Sequence, residues 1–168
     1  FIAASQLMAR DAAPEVFLVY GGAHGSPGYA NWYDRLSHFV DKGRIRPISI
    51  DNPTGINTMS ESMALVRFAH EEKRKSFYLV APPFHMLRAF MTAASVAIKH
   101  GSEINFFACP GAPQDLSKSV KHSQGRGPFP RWKWFELELE SIKNYSDAHD
   151  ILSIPTIIGY MQNRRLKF

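Results

Sequence analysis

Short apolar runs alternate with longer amphipathic segments along the first two-thirds of the chain. The runs are rich in β-branched and aromatic residues and end close to Gly or Pro, which is typical of buried strands. The expected strands are Glu15–Tyr20, Arg46–Ile50, Ser76–Ala81 and Ile104–Cys109. Because helical segments separate them, the pattern predicts an α/β fold with a mainly parallel sheet and helices on both faces.

Apolar residues at helical spacing predict the remaining elements. The expected helices are Phe1–Arg10, Tyr29–Val40, Thr58–Lys73, Phe84–His100 and Trp132–Asp147, while Ile154–Tyr160 fits either a strand or a helix. Ser26-Pro27 is expected to start the second helix and Gly43 to stop it. Thr58 and Glu61 have the spacing of a capping box, which predicts where the third helix starts.

The length and composition predict one ordinary globular domain over residues 1–168. The chain has 45% hydrophobic and 21% charged residues, so a disordered or fibrous protein is excluded. Residues 111–130 form a long Pro/Gly/Ser-rich loop, and residues 131–168 a C-terminal helical extension. With one cysteine, Cys109, and no long apolar run, we expect no internal disulfide, no transmembrane segment and a cytoplasmic protein.

The positive charge is concentrated in one segment. The chain carries 20 Lys and Arg against 15 Asp and Glu, which gives a net charge of +5. Residues 117–134 contain five of the basic residues and no acid, so the surplus lies there. These residues are Lys118, Lys121, Arg126, Arg131 and Lys133, with Phe129, Trp132 and Trp134 among them. The segment is a candidate contact for an anion, an acidic surface or a nucleic acid.

Candidate site residues follow the predicted strands, where parallel sheets collect their ligands. Gly21 and Gly22 end the first strand and allow a ligand to approach the backbone. Asp51 follows the second strand. His85 and Arg88 lie three residues apart in the first turns of a helix, so they share a face. An arginine at the positive end of a helix predicts either a carboxylate partner or an anionic ligand, and a histidine there suits acid–base chemistry.

These motifs resemble the YdcF-like/SanA-like family, a bacterial domain of unknown function. The resemblance lies in VFLVYGG, in IDNPTGINTMSES and above all in LVAPPFHMLRA, and it covers roughly residues 1–110. The matching positions are Gly21, Gly22, Asn57, Thr58, Glu61, His85 and Arg88. The chain departs from the family pattern at Tyr20, Asp51, Ser62 and Ala81-Pro82-Pro83. The family's first strand, and any N-terminal anchor, would precede Phe1.

The resemblance implies a Rossmann-like three-layer sandwich and a nucleotide-like ligand. It makes Gly21, Gly22, Asp51, Asn57, Thr58 and Arg88 candidate ligand-binding residues. His85 and Glu61 become candidate catalytic acid–base groups. The cofactor is unknown, with a nucleotide-like or S-adenosylmethionine-like ligand among the candidates, and no metal site is expected because the histidines are scattered.

Three functional hypotheses follow from the sequence. The leading one is a small anionic or nucleotide-like molecule bound at the carboxyl edge of the sheet, with acid–base catalysis left open. The second is a binding or regulatory domain without turnover, which the Ala81-Pro82-Pro83 departure favours. The third is binding of an acidic surface or a nucleic acid through residues 117–134, with nucleic acid the less favoured partner. The substrate and the oligomeric state are not indicated.

Overall fold

Two pairs of parallel strands pack among helices in a mixed α/β fold. The structure is a computed structural model that describes residues 1–20, 29–50, 57–121 and 127–164. Its strands are β1 (Val16–Tyr20), β2 (Ile45–Ser49), β3 (Ser76–Ala81), β4 (Asn105–Pro110), β5 (Ser119–Val120) and β6 (Phe129–Pro130). Its helices are α1 (Ile2–Ala9), α2 (Tyr29–Ser37), α3 (Thr58–Glu71), α4 (Pro83–Lys99), α5 (Arg131–Asp147) and α6 (Ile154–Asn163).

The four predicted strands form, each within one residue of its expected bounds, and they pair in parallel. β1 pairs with β2 from Val16 opposite Ile45 to Tyr20 opposite Ser49. β3 pairs with β4 over its whole length. The parallel pairing predicted from the alternation of strands and helices is therefore confirmed. The ambiguous segment at residues 154–160 is a helix, in which Pro155 occupies the first turn and the Ser153 side chain caps the N-terminus.

The two strand pairs contact each other at their amino ends, and the described residues do not form one continuous sheet. No hydrogen-bonded pairing joins β1 or β2 to β3 or β4 in the described ranges. The ring of Phe17 in β1 lies 5.8 Å from that of Phe77 in β3, centroid to centroid. Arg74, just before β3, forms an ion pair with Glu15, just before β1. These contacts place the amino ends of β1 and β3 together, while the three-layer arrangement remains a prediction.

Helices cover both faces of the first strand pair. Side chains alternate along a strand, and Val16 and Leu18 pack into a small cluster with Met8 of α1 and Leu36 of α2. The side chains between them, such as Phe17, pack into the main core with α3 and α4. The β3–β4 pair differs, because its inner face joins the main core while Tyr78 and Val80 on the outer face of β3 are exposed.

One helix ends earlier than predicted. α2 ends at Ser37 rather than near Gly43, because the Asp41 side chain accepts a hydrogen bond from the Gly43 N–H at 2.8 Å and starts a 3-10 turn, Lys42–Arg44. The predicted start of α2 at Ser26-Pro27 lies outside the described residues.

The predicted Thr58–Glu61 capping box is wrong. The residue that caps α3 is Asn57, whose side chain accepts from the Ser60 N–H at 2.9 Å while the Ser60 hydroxyl accepts from the Asn57 N–H at 3.0 Å. Asn57 and Ser60 have the same spacing as Thr58 and Glu61, so the capping box forms one residue earlier. The side chains of Thr58 and Glu61 are consequently available for contacts with other elements.

The segment at 111–130, predicted as a loop, contains a short antiparallel hairpin. β5 and β6 pair from Ser119 opposite Pro130 to Val120 opposite Phe129. The hairpin leads directly into α5, whose first N–H groups, those of Arg131 and Trp132, donate to the carbonyls of Lys118 and Leu116. The residues just before β5 therefore pair with two of the N–H groups at the start of α5, which has no side-chain cap.

Candidate functional site

The start of α4 places the predicted His85 and Arg88 side by side. β3 ends at Ala81, and Pro83 takes the first helical position, where its fixed φ favours a helix. The N–H groups of His85 and Met86 donate to the Pro82 carbonyl at 2.9 and 3.0 Å. His85 and Arg88 thus occupy the first two turns of α4 and share one face, as their spacing predicts.

Arg88 is buried and paired with a carboxylate. Its side chain is 8% exposed and forms a two-pronged ion pair with the Glu138 side chain of α5, which is 7% exposed. The Arg88 Nε donates to Glu138 Oε2, and Nη2 donates to Glu138 Oε1 at 3.2 Å. Nη1 donates to the Thr58 hydroxyl of α3 at 2.9 Å. The arginine therefore joins three helices. The sequence predicted either a carboxylate partner or an anionic ligand for Arg88, and the structure shows the carboxylate partner.

The same carboxylate orients His85. The Nδ1 atom of His85 lies 3.0 Å from Glu138 Oε1 and 3.3 Å from Arg88 Nη2. An ionised carboxylate only accepts hydrogen bonds, so the shorter contact assigns the ring proton to Nδ1 in the neutral form. Nε2 is then the nitrogen that can take up a proton, which is the arrangement of a histidine general base oriented by an acid.

Glu61 adds a second titratable group to this cluster. It lies one turn into α3, is half-buried, and interacts electrostatically with His85 and Arg88. Burial raises the pKa of the Glu61 carboxyl above its usual range, and its electrostatic interactions with His85 and Arg88 lower it only in part. A carboxyl group with a raised pKa beside a histidine is a frequent feature of sites that transfer protons.

We expect Glu61 to make folding stability fall as pH rises. Because its pKa is raised in the folded state, the folded chain binds more protons than the unfolded chain between the unfolded and folded pKa values. Stability is full below the unfolded pKa, near 4.3, and declines as pH rises through that window. Glu61→Gln should remove this decline. The free energy of unfolding of the variant relative to wild type, measured with urea, should therefore be higher at pH 7.5 than at pH 4.0.

Glu71→Gln, at the exposed end of the same helix, is the control for losing one negative charge. A constant difference between Glu61→Gln and wild type at both pH values would contradict the expected role of burial.

The structure brings together only part of the predicted site. His85, Arg88, Thr58 and Glu61 meet where α3 and α4 begin. Asn57 adjoins them as the cap of α3. The predicted ligand-binding residues Gly21, Gly22 and Asp51 lie outside the described residues, so their place in the site stays a prediction.

Glu138 is the functional candidate that sequence reasoning missed. It lies fifty positions after Arg88 and belongs to an alternating acidic stretch, ELELE, in which every glutamate resembles a solvent-exposed residue. The sequence feature that could have identified Glu138 is its position four residues after Trp134. Positions four apart share a helix face, so Glu138 lies on the face that buries a tryptophan. An acid on an apolar helix face requires a buried cation.

A cavity of about 320 Å³ lies at the other end of α3 and α4. It is lined by the last turns of these helices and by basic side chains, among them His70, Lys73 and Lys75. Helix C-termini carry partial negative charge, which favours cationic side chains and disfavours an anionic ligand. Lys75, beyond the end of α3, is instead paired with Glu103 at 4.0 Å. The cavity is separate from the cluster around Arg88.

No family model, curated protein or solved structure matches this chain. The part of the chain that the structure describes contains no group of three His, Cys, Asp or Glu side chains placed to hold a metal ion. None of its described helices is long and apolar enough to cross a membrane. The cluster itself is thus the basis for a functional proposal.

Proposed function

We propose that this chain binds an anionic or nucleotide-like small molecule where α3 and α4 begin, beyond the carboxyl ends of β2 and β3. The observation that carries the proposal is the convergence of Thr58, His85, Arg88 and Glu138 with the half-buried Glu61. A buried ion pair stabilises a fold no better than apolar residues of the same size would. Its position at two helix N-termini, beside a histidine with an oriented ring, fits a ligand site better than a purely structural role.

Each group has a distinct part in this proposal. The N-termini of α3 and α4 attract a negative group, and His85 Nε2 exchanges a proton with the bound molecule. Glu61, with its raised pKa, is the second acid–base group. Arg88 and Glu138 hold His85 in place, and direct contact of Arg88 with the ligand remains a prediction. The proposal also places β1 to β4 in a Rossmann-like sheet, as the family resemblance implies.

Thermal unfolding in the presence of AMP, S-adenosylmethionine or inorganic phosphate tests binding. A ligand at a hundred times its Kd stabilises the folded state by about 2.7 kcal/mol. For a chain of this length, that corresponds to a rise in Tm of about 5–10 °C. The proposal expects such a rise with at least one of these compounds, and absence of any shift with all three would contradict it.

His85→Gln separates binding from turnover. Glutamine keeps a hydrogen bond but cannot exchange a proton. The variant should therefore bind within about tenfold of wild type and lose any turnover of the bound compound. His100→Gln, at the opposite end of α4 and exposed, is the matched control and should behave as wild type. Turnover that survives in His85→Gln would leave the binding domain without catalysis as the better description.

A further inference from the structure

Large apolar side chains are exposed along one side of α5. Trp132, Phe135 and Leu139 are spaced by three and four residues, so they share one side of the helix. Their exposed fractions are 49%, 36% and 57%. This side adjoins the buried face of α5 that carries Trp134 and Glu138. An exposed run of this size on a helix is unusual unless another surface covers it.

Neighbouring elements extend this run into a patch. The Leu116 carbonyl accepts a hydrogen bond from the Trp132 N–H at 3.1 Å, which places Leu116 beside the start of α5. Leu87 follows Phe84 by one turn of α4, and the rings of Phe84 and Phe135 lie 6.4 Å apart. The apolar patch is defined by six exposed side chains, those of Leu87, Leu116, Phe129, Trp132, Phe135 and Leu139.

Basic side chains surround the amino end of the patch. The Lys118 carbonyl accepts from the Arg131 N–H at 3.2 Å, so the exposed Lys118 lies beside the first turn of α5. Lys121 directly follows β5 and is also exposed. Arg131 and Lys133 belong to the first turn of α5 itself. Two acids lie beside them, because Arg131 donates to the Asp115 carbonyl at 2.9 Å and Lys133 pairs with Glu136 at 2.6 Å. The four basic side chains outnumber these two acids, so this end of the patch keeps a net positive charge.

We propose that the apolar patch and its basic surround dock onto an anionic phospholipid membrane. Leu, Phe and Trp side chains insert at the boundary between headgroups and acyl chains, and Trp favours this interface. Lys and Arg beside them are attracted by anionic headgroups. The protein would lie on the membrane through α5 and the β5–β6 hairpin. This inference does not depend on the small-molecule site.

Nucleic acid fits the same surface less well. Stacking on bases needs accessible ring faces. The Phe129 ring packs against Trp134 at 5.4 Å, and the Phe135 ring packs against Phe84. Leu87, Leu116 and Leu139 have no π face to stack on a base. Half of the patch would therefore contribute nothing to a nucleic-acid complex, whereas every member can insert into a lipid interface.

Co-sedimentation with vesicles tests the proposal. The chain should bind vesicles of phosphatidylcholine with 30% phosphatidylglycerol. It should bind vesicles of phosphatidylcholine alone much more weakly. Trp132→Ala combined with Leu139→Ala should weaken binding at least about tenfold, because both side chains lose their insertion energy. Ile154→Ala with Ile158→Ala, on the exposed side of α6, is the matched control and should bind as wild type.

A second pair of variants tests the charges. Lys118→Glu with Lys121→Glu should also weaken binding to the anionic vesicles by about tenfold or more. Lys42→Glu with Lys73→Glu changes the net charge equally, at two exposed positions on other elements, and should have a smaller effect. Binding should fall when salt rises from 0.05 to 0.5 M, because exposed charges are then screened.

Three results would overturn the proposal. The first is equal binding to neutral and anionic vesicles, or none to either. The second is binding of a single-stranded oligonucleotide that the Lys118/Lys121 variant loses, without any binding to vesicles. The third is a stable dimer in solution that Trp132→Ala with Leu139→Ala separates, which would show that a second copy covers the patch. Circular dichroism of each variant confirms that it is folded.

Discussion

Replacing Glu138 with leucine is expected to remove about 3–5 kcal/mol from the free energy of unfolding, because it leaves Arg88 buried without a counter-charge. Leucine is close in size to glutamate and favours a helix equally well. The lost stability therefore measures the removal of the ion pair and not a change in helix propensity. Such a loss is a large fraction of the 5–15 kcal/mol by which a domain is usually stable. Urea unfolding followed by circular dichroism measures the change.

Glu140→Leu is the matched control, since Glu140 lies on the same helix and is exposed. It should change the free energy of unfolding by less than about 1 kcal/mol. Arg88→Met combined with Glu138→Leu should recover most of the loss, because apolar side chains replace a buried pair at little cost. A Glu138→Leu variant as stable as Glu140→Leu would show that Arg88 does not depend on this carboxylate.

Trp134→Ala is the second substitution with a large expected effect, a loss of about 3–5 kcal/mol. The residue is 2% exposed, and its indole N–H donates to the Val120 carbonyl at 3.1 Å. Its ring lies 6.3 Å from Phe84 and 5.4 Å from Phe129, between α4 and the hairpin. Removing it opens a cavity and detaches the hairpin from α5, which urea unfolding and amide hydrogen exchange of β5 would detect.

Trp132→Ala provides the comparison, because it is the same substitution two residues earlier, on the exposed side of α5. It should cost less than about 1 kcal/mol, since half of the side chain is in solvent. Equal losses for the two tryptophans would mean that the hairpin does not pack against Trp134 as described.

The order of strands and helices could be predicted because it depends on local patterns. The run SFYLVA alternates exposed and inward-facing residues, which is typical of a strand. At six residues it is also shorter than most helices. The start of α4 followed from two prolines and a long apolar helix. The residues that cap α3 could not be predicted in the same way, since Asn57–Ser60 and Thr58–Glu61 offer two capping boxes one residue apart. Local sequence does not distinguish the two capping boxes. In the structure the Thr58 hydroxyl accepts a hydrogen bond from Arg88, which favours the Asn57–Ser60 box because Thr58 is then not needed as a cap.

The candidate site was predictable in part for the same reason. His85 and Arg88 share a face because of their spacing alone, so their proximity needed no knowledge of the fold. Glu138 reaches them only through the packing of α5 against α4, which depends on contacts between distant residues. The joining of the strand pairs is equally non-local, and the resemblance to a family does not decide it.

The pairing of Arg88 with Glu138 also sets an order of events during synthesis of the chain. Glu138 leaves the ribosome fifty residues after Arg88, which at 5–20 residues per second is about 3–10 s later. In that interval the emerging chain has β3, α4 and β4 but lacks the carboxylate, so packing α4 fully onto the core would bury an uncompensated charge. We therefore expect the amino-terminal part to stay short of its final packing until α5 has been made, when the cluster at the start of α4 can be completed.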